Sequence, residues 1–280
     1  MAPTIAVIAA GAMGSGIAAR LTRHGVRVLT SLEGRSAKSR TRAEAAGMQH
    51  ADDQRLVEEA DMILSIVPPA DAAALAERFA ARLGGAARAP IFVDCNAVSV
   101  STVIGIGDRL AQAGVRFVDG AIIGLPPQGD ERGPAIYFSG VVAGELTGLS
   151  KYGLDIRVID GPIGAASALK LSYAGITKGL VAIAATMILA ADRAGAGPAL
   201  KAELAASQPQ LLDRFARTVP GMYLKAYRWV EEMHAIAEFV GDGFPESVIY
   251  EGAAGLYQRL ADDVASDRAA VERLDAFFSG

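Results

Sequence analysis

The stretch Thr4-Ile5-Ala6-Val7-Ile8-Ala9-Ala10-Gly11-Ala12-Met13-Gly14-Ser15-Gly16-Ile17-Ala18 decides the fold: an apolar strand runs into small residues and then into a helix. A strand that turns sharply, lets a pyrophosphate reach its backbone and packs the following helix closely needs side-chain-poor positions at three points. Ala9, Gly11 and Gly14 occupy those points, with Ala9 in the first slot of G-x-G-x-x-G. Alanine there stays small but gives up easy access to positive φ. Outward from the turn, Ile17 to Leu21 continues at helical spacing, Gly25 ends the helix, and Val26-Arg27-Val28-Leu29-Thr30 reads as a second buried strand. Strand, glycine turn, helix and strand in close succession make a βαβ unit. Ala9, Gly11, Ala12, Met13 and Gly14 are therefore the expected pyrophosphate cradle.

The alternation continues for the first half of the chain. Met62 to Val67 reads as a strand stopped by Pro68-Pro69, Ala72 to Leu83 as a helix, Ile91 to Asp94 as a strand and Ser101 to Ala113 as a helix. Val115 to Asp119 and Ala135 to Ser139 extend the sheet. The pattern predicts an α/β class: an N-terminal Rossmann-type doubly wound parallel sheet with ligands at the carboxyl ends of its strands. After Gly164 only helical periodicity remains, in segments near 165–194, 199–206, 208–218, 223–240, 246–265 and 269–277. We thus expect a dinucleotide-binding domain over 1–161 and an all-α domain over 162–280, joined by a long interdomain helix. The cleft between two such domains is the default place for a small-molecule substrate.

Composition narrows the partners. With 280 residues, 51% of them apolar, the chain can bury two cores, and its net charge of −4 contains no basic block suited to nucleic acid. Cys95 stands alone, which fits a reducing, cytoplasmic compartment. The longest apolar run, Gly179 to Ala191, is too short to span a bilayer, so no membrane is expected. Because one small domain can hardly bury every side of that helix, a homodimer is expected.

The segment after the second strand bears on the cofactor. An acid at that strand's end would take the ribose hydroxyls of NAD. Here the chain reads Thr30-Ser31-Leu32-Glu33-Gly34-Arg35-Ser36, with Lys38 and Arg40 behind. Ser31, Arg35 and Ser36 offer donors suited to a 2′-phosphate, so NADP is favoured and NAD, through Glu33, is the second choice. Asn96 follows a strand at its carboxyl end and is a candidate for positioning nicotinamide or substrate. Glu231, His234 and Glu238 share a helix face but read as a solvated surface, and no metal is expected. His24 and His50 receive no role, and Cys95 reads as a buried thiol.

Taken in order, the N-terminal turn, Val67-Pro68-Pro69, Val93-Asp94-Cys95-Asn96-Ala97-Val98-Ser99, Asp119-Gly120-Ala121-Ile122-Ile123-Gly124 and Gly161-Pro162-Ile163-Gly164-Ala165-Ala166-Ser167-Ala168-Leu169-Lys170 resemble the β-hydroxyacid dehydrogenase superfamily, which includes the 3-hydroxyisobutyrate and 6-phosphogluconate dehydrogenases. The helical half resembles a branch with its own C-terminal domain. The resemblance implies an NAD(P)-dependent oxidoreductase that interconverts a hydroxyl and a carbonyl on a hydroxy-acid-like substrate. It puts Val67 and Pro68 against the cofactor and makes Lys170 the general acid/base. The chemistry supports that role, because oxidising an alcohol needs a base at the hydroxyl.

Three departures from the family pattern bear on the substrate. Ala174 stands where many relatives have asparagine, and Tyr173 beside it either supplies a hydroxyl or packs. Ile123-Gly124-Leu125 replaces a Ser-Gly-Gly segment and Pro126-Pro127 stiffens the chain beyond it, which argues for a bulkier or less polar substrate. Ala9 affects only the cofactor turn. In the helical half, Tyr223, Tyr227, Arg228 and Trp229 cluster: Arg228 suits a carboxylate and Trp229 a pocket wall, or the set is core aromatics with an exposed arginine. The alternatives to a dehydrogenase are an imine reductase, against which Lys170 speaks, and a catalytically idle NADP-binding sensor or scaffold.

Overall fold

The computed structural model describes residues 2–86, 88–129 and 131–279. It divides into two compact units, Met1–Lys170 and Leu171–Gly280. The first unit opens with β1 (Thr4–Ile8), α1 (Ala12–Arg23), β2 (Arg27–Thr30), α2 (Ala37–Ala45), β3 (Gln49–His50), α3 (Asp53–Glu59) and β4 (Met62–Ser65). It continues with α4 (Ala72–Leu83), β5 (Ile91–Asp94), α5 (Val100–Gln112), β6 (Phe117–Ile123), β7 (Ala135–Ser139) and β8 (Asp155–Val158).

Among the described residues, eight strands form one sheet in the order β3-β2-β1-β4-β5-β6-β7-β8. The chain steps outward from β1 to β3 and then returns to β4 beside β1, so the topology reverses between β1 and β4. In open α/β sheets that is where a ligand crevice forms. Along β1 the side chains alternate between two apolar layers: Ile5 and Val7 enter one, Ala6 and Ile8 the other. Period-two alternation between two buried faces is what a sheet covered by helices on both sides requires.

The expected all-parallel sheet is corrected at one place. β7 runs antiparallel to β6, with Ile123 opposite Ala135 and Asp119 opposite Ser139, and β8 then pairs parallel to β7. The reason is connection length: Ile123 and Ala135 are joined by a short connection, which suits a hairpin, whereas a parallel step needs a crossover of a dozen or more residues. The edge strands β3 and β8 are too short to announce themselves: β3 is Gln-His, and β8, Asp-Ile-Arg-Val, alternates polar and apolar over four residues only.

The long helix α6 (Ala165–Arg193) begins in the first unit and continues into the second. The division therefore falls after Lys170, inside the helix, rather than ahead of it. The apolar run read as too short for a bilayer is the C-terminal half of this 29-residue helix, which by length and composition alone is long and apolar enough to cross one. Half of its most apolar window is buried within the protein.

The second unit contains α7 (Gly197–Ser207), α8 (Pro209–Thr218), α9 (Ala226–Val240), α10 (Ser247–Val264) and α11 (Ala269–Ser279). Its core includes Tyr257, Leu260, Met233 and Leu274, each fully buried. Gly175 lets α6 and α10 approach: a Cβ there would lie 3.0 Å from the Tyr250 hydroxyl.

Candidate active site

The strands β1, β2, β4, β5 and β6 run parallel to one another, so their carboxyl ends share one edge of the sheet. That edge gathers the turn after β1, the Ser31–Ser36 loop after β2, Val67-Pro68 after β4, Asn96 after β5 and Ile123-Gly124 at the end of β6. Gly14 is required by close approach, because a Cβ there would sit 2.0 Å from the Ala9 carbonyl oxygen. Gly11 is different. It has an ordinary φ of −72°, and a Cβ on it would meet nothing within 4 Å.

Nothing in the protein itself demands glycine at position 11. The space above it suits a group arriving from outside. The N-terminus of α1 beside it has no side-chain cap and no acidic residue in its first turn. The amides of Ala12, Met13 and Gly14 thus begin a helix whose positive end is open to an anion. These residues fit a dinucleotide pyrophosphate.

After β2 the chain makes a turn in which the Arg35 amide donates to the Leu32 carbonyl at 3.2 Å. Ser36 caps α2 by accepting from the Ser39 amide at 3.3 Å. His50, to which the sequence assigned no role, accepts the Leu32 amide on Nδ1 at 3.2 Å and so holds this loop. Ser31 is buried, Arg35 is partly exposed, and Glu33 points into solvent.

Asn96 is 3% exposed and its side chain is fully engaged. Its Oδ1 accepts the Val67 amide at 2.7 Å, and its Nδ2 donates to Ser65 Oγ at 2.7 Å and to Asp94 Oδ2 at 2.9 Å. The amide therefore clips the ends of β4 and β5 together and sets the Val67-Pro68 loop. Asp94, 1% exposed, also accepts the Asn96 backbone amide at 2.8 Å. Burial pushes the Asp94 carboxyl up to about 6, against the hydrogen bonds from Asn96; the Asp119 charge adds to the rise and the Lys170 charge opposes it. Cys95, buried next to them, has its thiol pushed far up by the same desolvation.

Asp119 does the most at this edge, and sequence reasoning did not single it out. Its Oδ2 accepts the amides of Gly164, Ala166 and Ser167 at 3.0, 3.0 and 3.1 Å and the Ser139 hydroxyl at 3.1 Å. Its Oδ1 accepts the Ser167 hydroxyl at 2.7 Å. A buried carboxylate thus caps α6 and ties its first turn to β6, a favourable use of negative charge at a helix N-terminus. Gly164 closes the approach at φ +99°, where a Cβ would lie 3.1 Å from Val100 Cγ1. Lys170, partly buried, follows Ser167 by three residues on the same helix, so the cap fixes where it emerges. The readable signal was the paired endings Phe92-Val93-Asp94 and Phe117-Val118-Asp119: each puts an acid after a fully apolar strand run.

In the second unit the remaining candidates separate. Tyr173 is 53% exposed and Ala174 is buried. Trp229 meets Tyr257 edge-on at 5.2 Å, with the Lys178 ammonium 5.1 Å above its ring and ion-paired to Glu232. Arg228 is exposed and lies over the Tyr227 ring at 5.6 Å. Tyr223 is buried and donates to Asp275 at 2.9 Å. His234 pairs with Glu251 of the next helix at 2.9 Å.

Residues 4–97 match a family described as NADP oxidoreductase coenzyme F420-dependent, and residues 191–260 match a domain of unknown function, DUF1932. An uncharacterized 28.5 kDa protein of Methanothermus fervidus is 31% identical over 217 residues, covering 77% of this chain and 82% of that protein. Among solved structures, a conserved protein of unknown function with structural similarity to 3-hydroxyacid dehydrogenases superposes with a TM-score of 0.79 at 26% identity, covering 97% of this chain and 99% of that one. The 3-hydroxyisobutyrate dehydrogenase of Mycobacterium tuberculosis, solved with L-serine, superposes at 0.75 with 19% identity, covering 98% and 99%. Two family matches, a relative matched over 77% of this chain and a shared architecture agree with the motifs at the sheet edge: the chain belongs to the β-hydroxyacid dehydrogenase-like superfamily.

Proposed function

We propose that this chain is an NADP-dependent oxidoreductase that interconverts a hydroxyl and a carbonyl on a hydroxy-acid-like substrate, with Lys170 as general acid/base. The observation that carries the reading is Lys170 itself, held on the Asp119-capped first turns of α6. Ala12, Met13 and Gly14 would hold the pyrophosphate at the start of α1, with Gly11 leaving it room, and Arg35 and Ser36 would take the 2′-phosphate. Bound NADP supplies or accepts the hydride. Lys170 takes the hydroxyl proton in oxidation and returns a proton to the carbonyl oxygen in reduction. Asp94 lies within electrostatic reach of Lys170.

The test is a fluorescence titration with NADPH and NADH of the wild type and of Arg35→Ala, followed by a screen of hydroxy acids, oxo acids and cyclic imines. Tight NADPH binding that Arg35→Ala weakens more than NADH binding supports the assignment. Lys170→Ala should keep cofactor affinity and lose about 10²- to 10⁴-fold in turnover. Wild-type turnover in that variant would overturn the acid/base role. Turnover of imines alone would favour an imine reductase, and binding without turnover an idle NADP-binding protein.

A further inference from the structure

We propose that Arg20 is a positioning residue for substrate selection: from the helix that follows the glycine turn, it clamps the loop 124–134 and so fixes Ile123, Gly124 and Leu125 at the sheet edge. The inference rests on the reading of Ile123 and Gly124 as substrate contacts. Arg20 lies on α1, one turn beyond Gly16, and is only 9% exposed. Its guanidinium donates to three backbone carbonyls from two segments: Gly129 at 3.2 Å, Glu131, and Gly153 at 3.5 Å. Arg23, one turn on, adds a second donor to the Gly129 carbonyl at 2.7 Å.

The fit is tight on every side. A Cβ on Gly133 would lie 3.0 Å from the Arg20 terminal nitrogen, and one on Gly16 would lie 2.9 Å from Pro127 Cδ. At the base of the loop, Gly124 adopts φ +133°, and a Cβ there would press on Pro134 at 3.0 Å. Glycine is the residue that tolerates this backbone and this approach together. Arginine suits the clamp because its planar fork reaches several acceptors in fixed directions, where lysine offers a single nitrogen.

The consequence is functional because of what the two clamped parts do. α1 starts at the proposed pyrophosphate site, and the loop continues directly from the substrate segment at the end of β6. Arg20 joins them into one body, so Leu125, 80% exposed, is presented rigidly at the carboxyl edge. A loop of this length without such ties would sample many positions and discriminate substrates poorly.

Hydrogen exchange of residues 124–134 in Arg20→Met, which keeps an unbranched side chain over the stem and removes every donor, tests the clamp directly. Exchange there should rise about tenfold or more while β6 and β7 stay protected. Gly16→Ala, which pushes on Pro127 without touching Arg20, should loosen the same loop, and Arg20→Lys should fall between wild type and Arg20→Met. NADP⁺ affinity should stay within about twofold, while KM for the best substrate of the screen rises about tenfold with kcat little changed.

Unchanged loop exchange in Arg20→Met and Gly16→Ala would overturn the proposal. So would loosening spread equally over the loop, β6 and β7, which is the signature of a purely structural arginine. Failure of the wild type to bind NADP⁺ would instead refute the proposed function, and the exchange measurement on the free protein would still decide the clamp.

Discussion

Replacing Asp119 by alanine removes the acceptor that holds the first turn of α6. Of the three amides it binds, Ala166 keeps a partner, since it also donates to Ser139 Oγ at 3.0 Å. The Gly164 and Ser167 amides do not, and both residues are buried. A buried donor left without an acceptor costs roughly 1–3 kcal/mol, so the pair costs about 4 kcal/mol. Asp119→Asn keeps one oxygen where Oδ2 now sits and loses mainly the charge, worth about 1–2 kcal/mol for charge-assisted bonds at a helix N-terminus. Native-state hydrogen exchange at Ser167 reads this locally. At about 1.4 kcal/mol per decade, exchange should accelerate about a thousandfold in Asp119→Ala and about tenfold in Asp119→Asn. A loss below about 1 kcal/mol in Asp119→Ala, or equal losses in the two variants, would refute the view that this carboxylate holds the helix start.

The two glycines of the turn should behave in opposite ways. Gly14→Ala drives a Cβ into the Ala9 carbonyl and lowers Tm, whereas Gly11→Ala leaves Tm unchanged and weakens NADPH binding at least about tenfold, because its methyl fills the space above the turn. Thermal melts and a titration of each variant check this. Asp94 should make stability depend on pH with an acid-favouring sign. Its folded pKa of about 6 lies above the ordinary 3.8, so its contribution is full below that value and lost as pH rises through 6. The span corresponds to about 3 kcal/mol, and Asp94→Asn should flatten denaturation midpoints over this window. On α6 and α10, Ile176, Ile183, Met187, Val248 and Ile249 are each more than half exposed, and a second copy of the chain is the proposed cover. Sedimentation should give a dimer that Ile183→Asp and Met187→Asp convert to monomer.

Periodicity and punctuation in the sequence were enough to place most of the elements. Ala72–Leu83, Ile91–Asp94 and Ala135–Ser139 fall where apolar spacing and flanking breakers put them, because period 2 and period 3.6 are local properties of the backbone. The glycine turn was legible for the same reason, since its chemistry lies within a few consecutive residues. What the sequence could not disclose depends on which segments meet. β7 is antiparallel because the loop before it is a hairpin, and β3 and β8 exist only through pairing with a neighbour. Asn96 reads in the sequence as a candidate for positioning nicotinamide or substrate, and in the fold its side chain is engaged by Ser65, Val67 and Asp94. Asp119 and Gly164 are 45 positions apart, and Arg20 and Glu131 are 111 apart. The acid that caps α6 and the arginine that bonds the loop after β6 acquire their partners only when the fold brings those segments together, since hydrogen bonding depends on separation in space and sequence spacing reports only separation along the chain.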